Sequence, residues 1–285
     1  MRPIIGRIDR YDWNGIGESI KMAVKLIAVD MDGTFLNSEK EYNRERFSKL
    51  FTQMKEKNVR FVCASGNQFP QLKYYLEDYH DQMTFIAENG AYIIENGKEL
   101  DSALISMDVV SHAIHTLREY GNVPFILCGK NGAYVHTDIP SDYYKMFQKY
   151  FRNLVQVTNF DNINDDIFKF ATAFPEEEVP KVLDYLHGEL NGDLIPVASG
   201  FGFVDLIQPG MHKGRGIRIL QEKWGITKEE SAAFGDSPND IEMLTEVGHS
   251  FVMSNGHPDV KAVSKTEIGS NETESLLDTI EELLN

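Results

Sequence analysis

The chain has 285 residues, which is enough for one large domain or two smaller ones. Its 42% hydrophobic and 25% charged residues are typical of a globular protein and exclude collagen-like, disordered and disulfide-rich classes. The 44 acidic residues against 28 Lys and Arg give a net charge of −16, so we expect neither nucleic acid nor an anionic membrane surface as a partner.

The cysteine content and the hydropathy of the sequence indicate the cellular compartment. The two cysteines, Cys63 and Cys128, fit a reducing compartment, and no apolar run approaches the ~20 residues of a membrane span. We therefore expect a cytoplasmic protein with no membrane association, and no feature indicates an obligate protein partner. Residues 1–21 are polar without clear periodicity, whereas Met22 opens a strand pattern. One hypothesis is that Met22 is the natural start; the alternative is an ordinary N-terminal arm.

The first part of the chain alternates strands and helices. The apolar run 25–29 predicts a buried parallel strand, and 42–57 carries apolar residues at helical spacing. A strand at 59–64, a helix at 70–79 and a strand at 84–87 follow. This order predicts an α/β fold with a doubly wound, Rossmann-like parallel sheet.

The pattern then changes and later returns. Between residues 90 and 208, short strands and hairpin signals, such as Asn96-Gly97, alternate with helices, which predicts an inserted α+β module. From residue 209 the doubly wound rhythm resumes and continues to the end of the chain. We therefore predict a core formed by 22–89 and 209–285, with residues 90–208 as a cap.

Two aspartates follow the first predicted strand, in the segment DMDGT at 30–34. Ligands of open α/β sheets bind at the carboxyl ends of the strands, and residues two apart at a strand end point the same way. Asp30 and Asp32 are therefore predicted to share one face, where two carboxylates need a cation or a shared proton. A polar turn would have the same sequence.

A second acidic group follows the predicted strand at 231–234, in the segment GDSPND at 235–240. Asp236 is placed to join Asp30 and Asp32 around one hard cation, and three oxygen donors with room for water suit Mg²⁺. The alternative is a capped helix N-terminus, because Ser237 and Asp240 are good capping residues.

Two further residue types complete a candidate phosphate site. Ser65 ends the second predicted strand, and its hydroxyl with the following N–H groups at Gly66 could hold a phosphate. Lys213 opens a predicted helix and would supply a countercharge to clustered aspartates. Taken singly, a strand-to-helix turn and a solvated lysine are the ordinary interpretations.

These motifs occur along the chain in the order D-x-D-G-T, S-G, K and G-D-x-x-N-D. In this order the chain, from about residue 22 to 285, resembles the haloacid dehalogenase superfamily. The insertion resembles the type IIB cap of Cof-type phosphatases. Four stretches, FVCASGNQFPQL, FIAENGAYI, SGFGFVDLIQPGMHKG and GDSPNDIEML, resemble the SupH-like sugar phosphatases. Many Cof-type members have Gly-Arg where this chain has Gly66-Asn67, which leaves one positive group fewer, although the SupH-like members share the Asn-Gln version.

The resemblance implies a role for each motif residue. Asp30 is the expected nucleophile, forming an aspartyl-phosphate, and Asp32 is the expected general acid and then base. We expect nearby carboxylates to favour the proton that the acid role needs. The resemblance further implies that Mg²⁺ is held by the Asp30 side chain, the Asp32 main-chain carbonyl and the Asp236 side chain. It implies that the phosphate is bound by Ser65, Gly66, Lys213 and Asn239. Asp240 is expected to orient Lys213.

The expected activity is Mg²⁺-dependent hydrolysis of small phosphorylated metabolites, with sugar phosphates first among them. A phosphotransferase or mutase would use the same intermediate and differ in the acceptor. A phosphatase for flavin mononucleotide or pyridoxal phosphate is a further enzyme alternative. A phospho-ligand sensor is the non-enzymatic alternative, and it would bind without turnover.

Overall fold

The structure is a computed structural model that describes residues 23–121, 123–200 and 202–285. The predicted N-terminal arm, residues 1–21, and the Met22 start lie outside the described residues.

Fourteen strands form two sheets within the described part of the chain. The strands are β1 (Leu26–Val29), β2 (Arg60–Ala64), β3 (Thr84–Ala87), β4 (Tyr92–Glu95), β5 (Lys98–Ser102), β6 (Phe125–Gly129), β7 (Ala133–His136), β8 (Leu154–Val157), β9 (Ile167–Ala173), β10 (Ile195–Gly200), β11 (Phe203–Ile207), β12 (Ser231–Gly235), β13 (His249–Met253) and β14 (Thr266–Ile268).

Helices cover both sheets. They are α1 (Arg44–Glu56), α2 (Phe69–Tyr75), α3 (Met107–Tyr120), α4 (Ser141–Tyr150), α5 (Val179–Glu189), α6 (Lys213–Trp224), α7 (Ile241–Thr245), α8 (Pro258–Val263) and α9 (Ser275–Leu284). Among the described residues, no helix combines the length and the apolar character needed to cross a membrane.

The larger sheet has the order β14-β13-β12-β1-β2-β3-β4-β5. Its first six strands are parallel, and β1 pairs with β2 on one side and β12 on the other. The chain therefore winds outward from β1 in both directions, which places a topological switch point at its carboxyl end. The predicted doubly wound fold is confirmed.

Helices pack on both faces of this sheet. On one face, Phe47 of α1 and Ile280 of α9 join a cluster with the buried side chains of β1, β2 and β12. On the other face, Ile217 of α6 and Met243 of α7 pack against the alternate side chains of the same strands. Burial on both faces explains why these strands read as continuous apolar runs.

The hairpin β4–β5 belongs to the core sheet, whereas the sequence analysis assigned it to the cap. It extends the larger sheet, where β4 pairs antiparallel with β3 and Ile94 lies opposite Phe85. Ile93 and Ile94 are buried in the two packing layers of the core. The turn at Asn96-Gly97 is correctly predicted, but its local sequence does not say which sheet the hairpin joins.

The inserted module contains the smaller sheet, of order β10-β11-β9-β6-β7-β8. Helices α3 and α5 cover one face through Leu117 and Leu186, and α4 covers the other through Phe147. The chain thus forms an eight-stranded core sheet and a separate six-stranded cap sheet, and the prediction of an α+β cap on a doubly wound core is confirmed.

Candidate active site

The predicted acidic residues meet at the switch point of the larger sheet. Asp30 follows β1 directly, and Asp236 follows the neighbouring strand β12. Oxygens of Asp30, Asp236 and Asp240 lie within 4.8 Å of one another. Parallel pairing brings these strand ends together, so residues about 200 positions apart form one cluster.

Lys213 is the cation of this cluster and is fully buried at the start of α6. Its Nζ lies 2.5 Å from Asp30 Oδ1 and 2.7 Å from Asp240 Oδ1. Burial opposes the charged form, but the two carboxylates outweigh burial and raise the pKa of Lys213. The side chain is therefore a fixed positive charge against Asp30.

The surroundings of Asp30 shift the pKa of its carboxyl group strongly. Burial, followed by repulsion from Asp240, raises the pKa of Asp30 well above its ordinary range, against the attraction of Lys213. Its Oδ2 atom is buried and has no hydrogen-bond partner among the described residues. An unpartnered buried carboxylate oxygen is costly, so this atom is suited to bind a cation or a ligand.

Asp236 is oriented by hydroxyl groups. Thr34 Oγ donates to its Oδ1 at 2.7 Å, and Ser237 Oγ donates to its Oδ2 at 3.0 Å. Gly33 has a φ of 84°, and a Cβ there would lie 2.6 Å from Asp236 Oδ2. Glycine at this position lets the loop after β1 approach the Asp236 carboxylate.

Asp240 differs from Asp236 in its donors, which are a buried ammonium and two backbone N–H groups rather than hydroxyls. Oδ1 accepts from Lys213, and Oδ2 accepts from the backbone N–H groups of Asp236 and Ser237, each at 3.0 Å. This reciprocal arrangement is a capping box at the turn after β12. Asp240 therefore orients Lys213 and the turn, while Asp30 and Asp236 have the oxygens better placed to hold an ion.

Asp32 lies at the mouth of the site, with a side chain 38% exposed. Its Oδ1 accepts from Lys40 Nζ at 2.6 Å, and its Oδ2 accepts from Asn67 Nδ2 at 2.5 Å. The groups bound to Asp32 are thus a cation and an amide, and the expectation that neighbouring carboxylates favour its proton stays a prediction.

The predicted phosphate-binding residues adjoin this cluster from two sides. Ser65 is buried, and its Oγ accepts from the Asn67 backbone N–H at 3.0 Å. Asn67 in turn reaches Asp32, which ties the loop after β2 to the loop after β1. Asn239 donates from Nδ2 to Asn89 Oδ1 at 3.1 Å.

Sequence reasoning missed Lys40 and Asn89. Lys40 stands in a charged loop, eight residues from Asp32, and nothing in periodicity distinguishes it from a solvated side chain. Asn89 follows β3 in the stretch FIAENGAYI, which carries part of the family resemblance. The sequence analysis assigns no role to this residue. Its sequence Glu-Asn-Gly marks a turn, and that was the available signal.

A cleft of about 720 Å³ opens beside Lys40, between the core and the cap. The core side is formed by the loop before α1 and by α2, and the cap side by the end of α4. Its lining is rich in aromatic and cationic side chains, including Tyr42, Tyr74, Tyr75, Arg44, Lys149 and Arg152. The guanidinium of Arg152 lies over the ring of Tyr74, so cap and core meet directly at this cleft.

The sequence was compared with models of known families. The model of the haloacid dehalogenase-like hydrolases matches residues 27–280. The chain belongs to this family. The family prediction is confirmed.

Individual relatives agree with that assignment. The chain is 42% identical to the 5-amino-6-(5-phospho-D-ribitylamino)uracil phosphatase YbjI of Escherichia coli (strain K12), over 92% of this chain and 97% of that protein. Among solved structures, it is similar to SMU.1108c from Streptococcus mutans UA159, with a TM-score of 0.88, 35% identity and coverage of 92% and 99%. It also has the fold of the HAD subclass IIB sugar phosphatase BT4131, with a TM-score of 0.76, 21% identity and coverage of 91% and 98%.

The hydrolase is therefore of the phosphatase type, and the predicted class of phosphoric monoester hydrolase is confirmed. The structure adds the geometry that such chemistry needs. A buried carboxylate is bound to a buried lysine, a second carboxylate lies beside it, and a more exposed one stands at the mouth of the site.

Proposed function

We propose that this hydrolase removes phosphate from small phosphorylated metabolites in a Mg²⁺-dependent reaction that passes through an aspartyl-phosphate on Asp30. The observation that supports the proposal is that one oxygen of the Asp30 carboxylate is bound and the other is not. Lys213 fixes Oδ1, while Oδ2 is buried without a partner among the described residues, and the carboxylate lies beside those of Asp236 and Asp240. A carboxylate held by one oxygen is oriented for attack through the other.

The site fits a divalent cation. Three carboxylates against one ammonium leave an excess of negative charge in a small buried volume, which a divalent cation would offset. We propose that Asp30, Asp236 and the Asp32 main-chain carbonyl hold Mg²⁺, which prefers such oxygen donors. When bound, the ion offsets the negative charge of the phosphate and of the attacking carboxylate.

The protein's own groups supply the rest of the charge compensation. Lys213 stays protonated between Asp30 and Asp240, so it offers a positive charge on the phosphate side of the nucleophile. Ser65 accepts a hydrogen bond from the Asn67 N–H, which leaves its hydroxyl proton free to donate to a phosphate oxygen. With Gly66 and Asn239, these donors would hold the phosphate in line with Asp30.

Asp32 is proposed to act as the general acid and then as the general base. It stands two residues after the nucleophile and remains partly exposed, so it can exchange protons with water and with the leaving group. Its contact with Lys40 holds the carboxylate at the mouth of the site, where it would act as the base for water attack on the intermediate. Lys40 also places a cation beside the loop in which Asn67 replaces the arginine of many Cof-type members.

The cleft beside Lys40 is the proposed place of the leaving group. It begins at the residue that contacts Asp32 and runs between core and cap. Tyrosines at 42, 74 and 75 offer flat surfaces, and the surrounding cations and amides offer polar contacts. This lining suits a polar planar ring or a polyol attached to the phosphate.

Within that class, we favour a phosphorylated ribitylaminopyrimidine over a simple sugar phosphate. The relative from Escherichia coli, with 42% identity, is named for that substrate. The molecule combines a polyol phosphate with a heterocycle, which matches a cleft that has both aromatic and polar walls. Simple sugar phosphates would occupy only part of this volume.

A panel of phosphomonoesters tests the proposal. It contains 5-amino-6-(5-phospho-D-ribitylamino)uracil, several sugar phosphates, flavin mononucleotide and pyridoxal phosphate, each assayed for phosphate release with Mg²⁺ and with EDTA. We expect Mg²⁺-dependent release that is lost in Asp30→Asn. Phosphate release by Asp30→Asn at the wild-type rate would refute the intermediate, transfer to added polyols in place of release would indicate a phosphotransferase, and saturable binding without turnover would indicate a sensor.

A further inference from the structure

A second buried ionic cluster lies outside the acidic site, between the cap and the core. Lys169 of β9 is 5% exposed, and its Nζ lies 2.8 Å from Asp205 Oδ2 of β11 and 3.6 Å from Glu88 Oε2, after β3. Asp205 and Glu88 are also buried. Burying three ionisable groups is costly, so the cluster requires an explanation beyond packing.

The third partner of Lys169 is the carbonyl of Gly66. Nζ donates to this oxygen at 2.8 Å, across the boundary from cap to core. Because a peptide group is planar and trans, a carbonyl fixed in this way also fixes the N–H of the next residue, which points the opposite way in the same plane. That N–H belongs to Asn67 and donates to Ser65 Oγ. The direction of the Ser65 hydroxyl thus depends on a lysine of the cap.

The cluster reaches the other proposed phosphate ligand as well. Asp205 Oδ2 accepts from Asn89 Nδ2 at 3.3 Å, and Asn89 Oδ1 accepts from Asn239 Nδ2 at 3.1 Å. Lys169 and Asp205 are the cap residues of this network, whereas Asn89 and Asn239 belong to the core. Both flanks of the proposed phosphate site are therefore connected to one ion pair in the cap.

The backbone of the Glu88–Gly90 turn is held in a conformation that needs support. Glu88 and Asn89 have φ values of 52° and 53°, in the left-handed region, and Gly90 follows at 94°. A Cβ on Gly90 would collide with the carbonyl of His212, next to Lys213. Non-glycine residues keep such angles only where their surroundings fix them.

The same turn is bonded to the loop after β2. The Glu88 N–H donates to the Asn67 carbonyl at 3.2 Å, and the Asn89 N–H donates to the Ser65 carbonyl at 3.1 Å. The buried amide of Gln68 then donates to the Gly129 carbonyl of the cap at 3.1 Å. The loop at 65–68 is consequently held by the strained turn on one side and by the cap on the other.

We propose that Lys169 is a positioning residue: through the Gly66 carbonyl, it holds the Ser65–Asn67 loop in the geometry that binds phosphate, so that this geometry depends on the docked cap. The inference rests on the proposed phosphatase function and extends it to a residue of the cap that does not touch the reacting atoms. Asp205 keeps Lys169 charged and in place from the neighbouring strand.

The test compares two double variants that each remove one ion pair between cap and core. Lys169→Met with Asp205→Asn removes the pair that contacts the loop and leaves no unpaired charge on either strand. Lys130→Met with Glu99→Gln removes a more exposed pair that also joins cap to core but does not contact residues 65–67. Each protein is assayed with para-nitrophenyl phosphate and Mg²⁺, with inorganic phosphate as competitive inhibitor and thermal unfolding as the measure of folding.

We expect the Lys169/Asp205 variant to remain folded, to bind inorganic phosphate about tenfold more weakly and to lose at least about tenfold in kcat/KM. Lys169→Arg, which keeps the charge and several donors, should recover most of this loss. The Lys130/Glu99 variant should stay within about twofold of the wild type. Equal phosphate affinity in a folded Lys169/Asp205 variant, or equal losses in both double variants, would overturn the inference.

A second measurement, on the wild-type protein, tests the inference even if the Lys169/Asp205 variant does not fold. If the loop and Lys169 are coupled, phosphate binding must stabilise the docked lysine by the same factor. Reductive methylation of Lys169 should then slow about tenfold with Mg²⁺ and saturating inorganic phosphate, while Lys145, exposed on α4, keeps its rate. An unchanged rate at Lys169 would refute the coupling. Absence of para-nitrophenyl phosphate hydrolysis by the wild type would instead contradict the proposed function.

Discussion

Lys40 Nζ lies 2.6 Å from Asp32 Oδ1, and the pair stands between the buried acids and the cleft that runs toward the cap. Lys40 is half-exposed, yet the attraction of Asp32 outweighs partial burial and raises the pKa of Lys40. The contact therefore keeps a protonated amine at the place where a phosphate ester would enter. Lys40 also supplies a positive group next to Asn67, at the position where many Cof-type phosphatases have arginine.

Replacing this lysine should weaken substrate capture. We expect Lys40→Met to raise KM for phosphomonoesters about fivefold, because a partly exposed cation contributes about 1 kcal/mol to binding an anion. Lys49→Met is the matched control, since Lys49 lies on the exposed face of α1 in an ion pair with Glu45. Steady-state kinetics at low ionic strength measure the change, and equal KM values for the two variants would show that Lys40 has no part in binding.

Metal binding should be visible without turnover. Mg²⁺ at about 100 times its dissociation constant should stabilise the folded protein by about 2.7 kcal/mol, which thermal unfolding reports as a rise of several degrees. Asp236→Asn should lose this rise because a proposed ligand becomes neutral, whereas Asp184→Asn, on an exposed position of α5, should retain it. A rise of equal size in all three proteins would place the ion elsewhere.

Much of the site was predictable because its residues follow strands. Asp30, Ser65 and Asp236 come directly after apolar runs, and parallel pairing of β1 with β2 and β12 requires their strand ends to meet. Lys213 could be placed with them only through the order of motifs, since nothing local distinguishes a lysine that opens a helix. The structure explains its burial by the carboxylates on both sides.

The parts that were not predicted depend on contacts between distant segments. The hairpin β4–β5 has a clear turn signal, but its assignment to a sheet is decided by the pairing of β4 with β3. Lys169 is the one charged residue of the buried strand β9, and a charge there indicates a buried partner without identifying it. Its partners Asp205 and Gly66 become visible only when the cap is folded against the core.

The cleft should distinguish substrates by their leaving groups. Arg152→Ala removes a guanidinium that lies over Tyr74, so we expect it to raise KM for 5-amino-6-(5-phospho-D-ribitylamino)uracil about tenfold. KM for para-nitrophenyl phosphate should change less than twofold if its small ring does not reach Arg152. Lys145→Ala, on the cap helix α4 that precedes Arg152 and outside the cleft lining, serves as the control. Equal effects on both substrates would mean that the leaving group lies elsewhere.

Glu88 gives the fold a pH dependence of predictable sign. Burial raises the pKa of the Glu88 carboxyl from its ordinary 4.5 to about 7, with Lys169 opposing the rise and Asp205 adding to it. The third titratable neighbour, Cys128, remains a neutral thiol, because burial raises its pKa. The folded state thus holds the proton more tightly than the unfolded state, so this contribution to stability is complete below pH 4.5 and lost as the pH rises through 7.

Glu88→Gln should remove that dependence while nearly preserving shape. At pH 5 the variant and the wild type should have similar free energies of unfolding, because the buried carboxyl is then neutral. At pH 8 the variant should be more stable, by up to about 3 kcal/mol, because the wild type must bury a carboxylate beside Asp205. Chemical denaturation at both pH values measures the difference, with Glu99→Gln at the exposed cap–core pair as control. A difference that is constant with pH would mean that Glu88 does not titrate in this range.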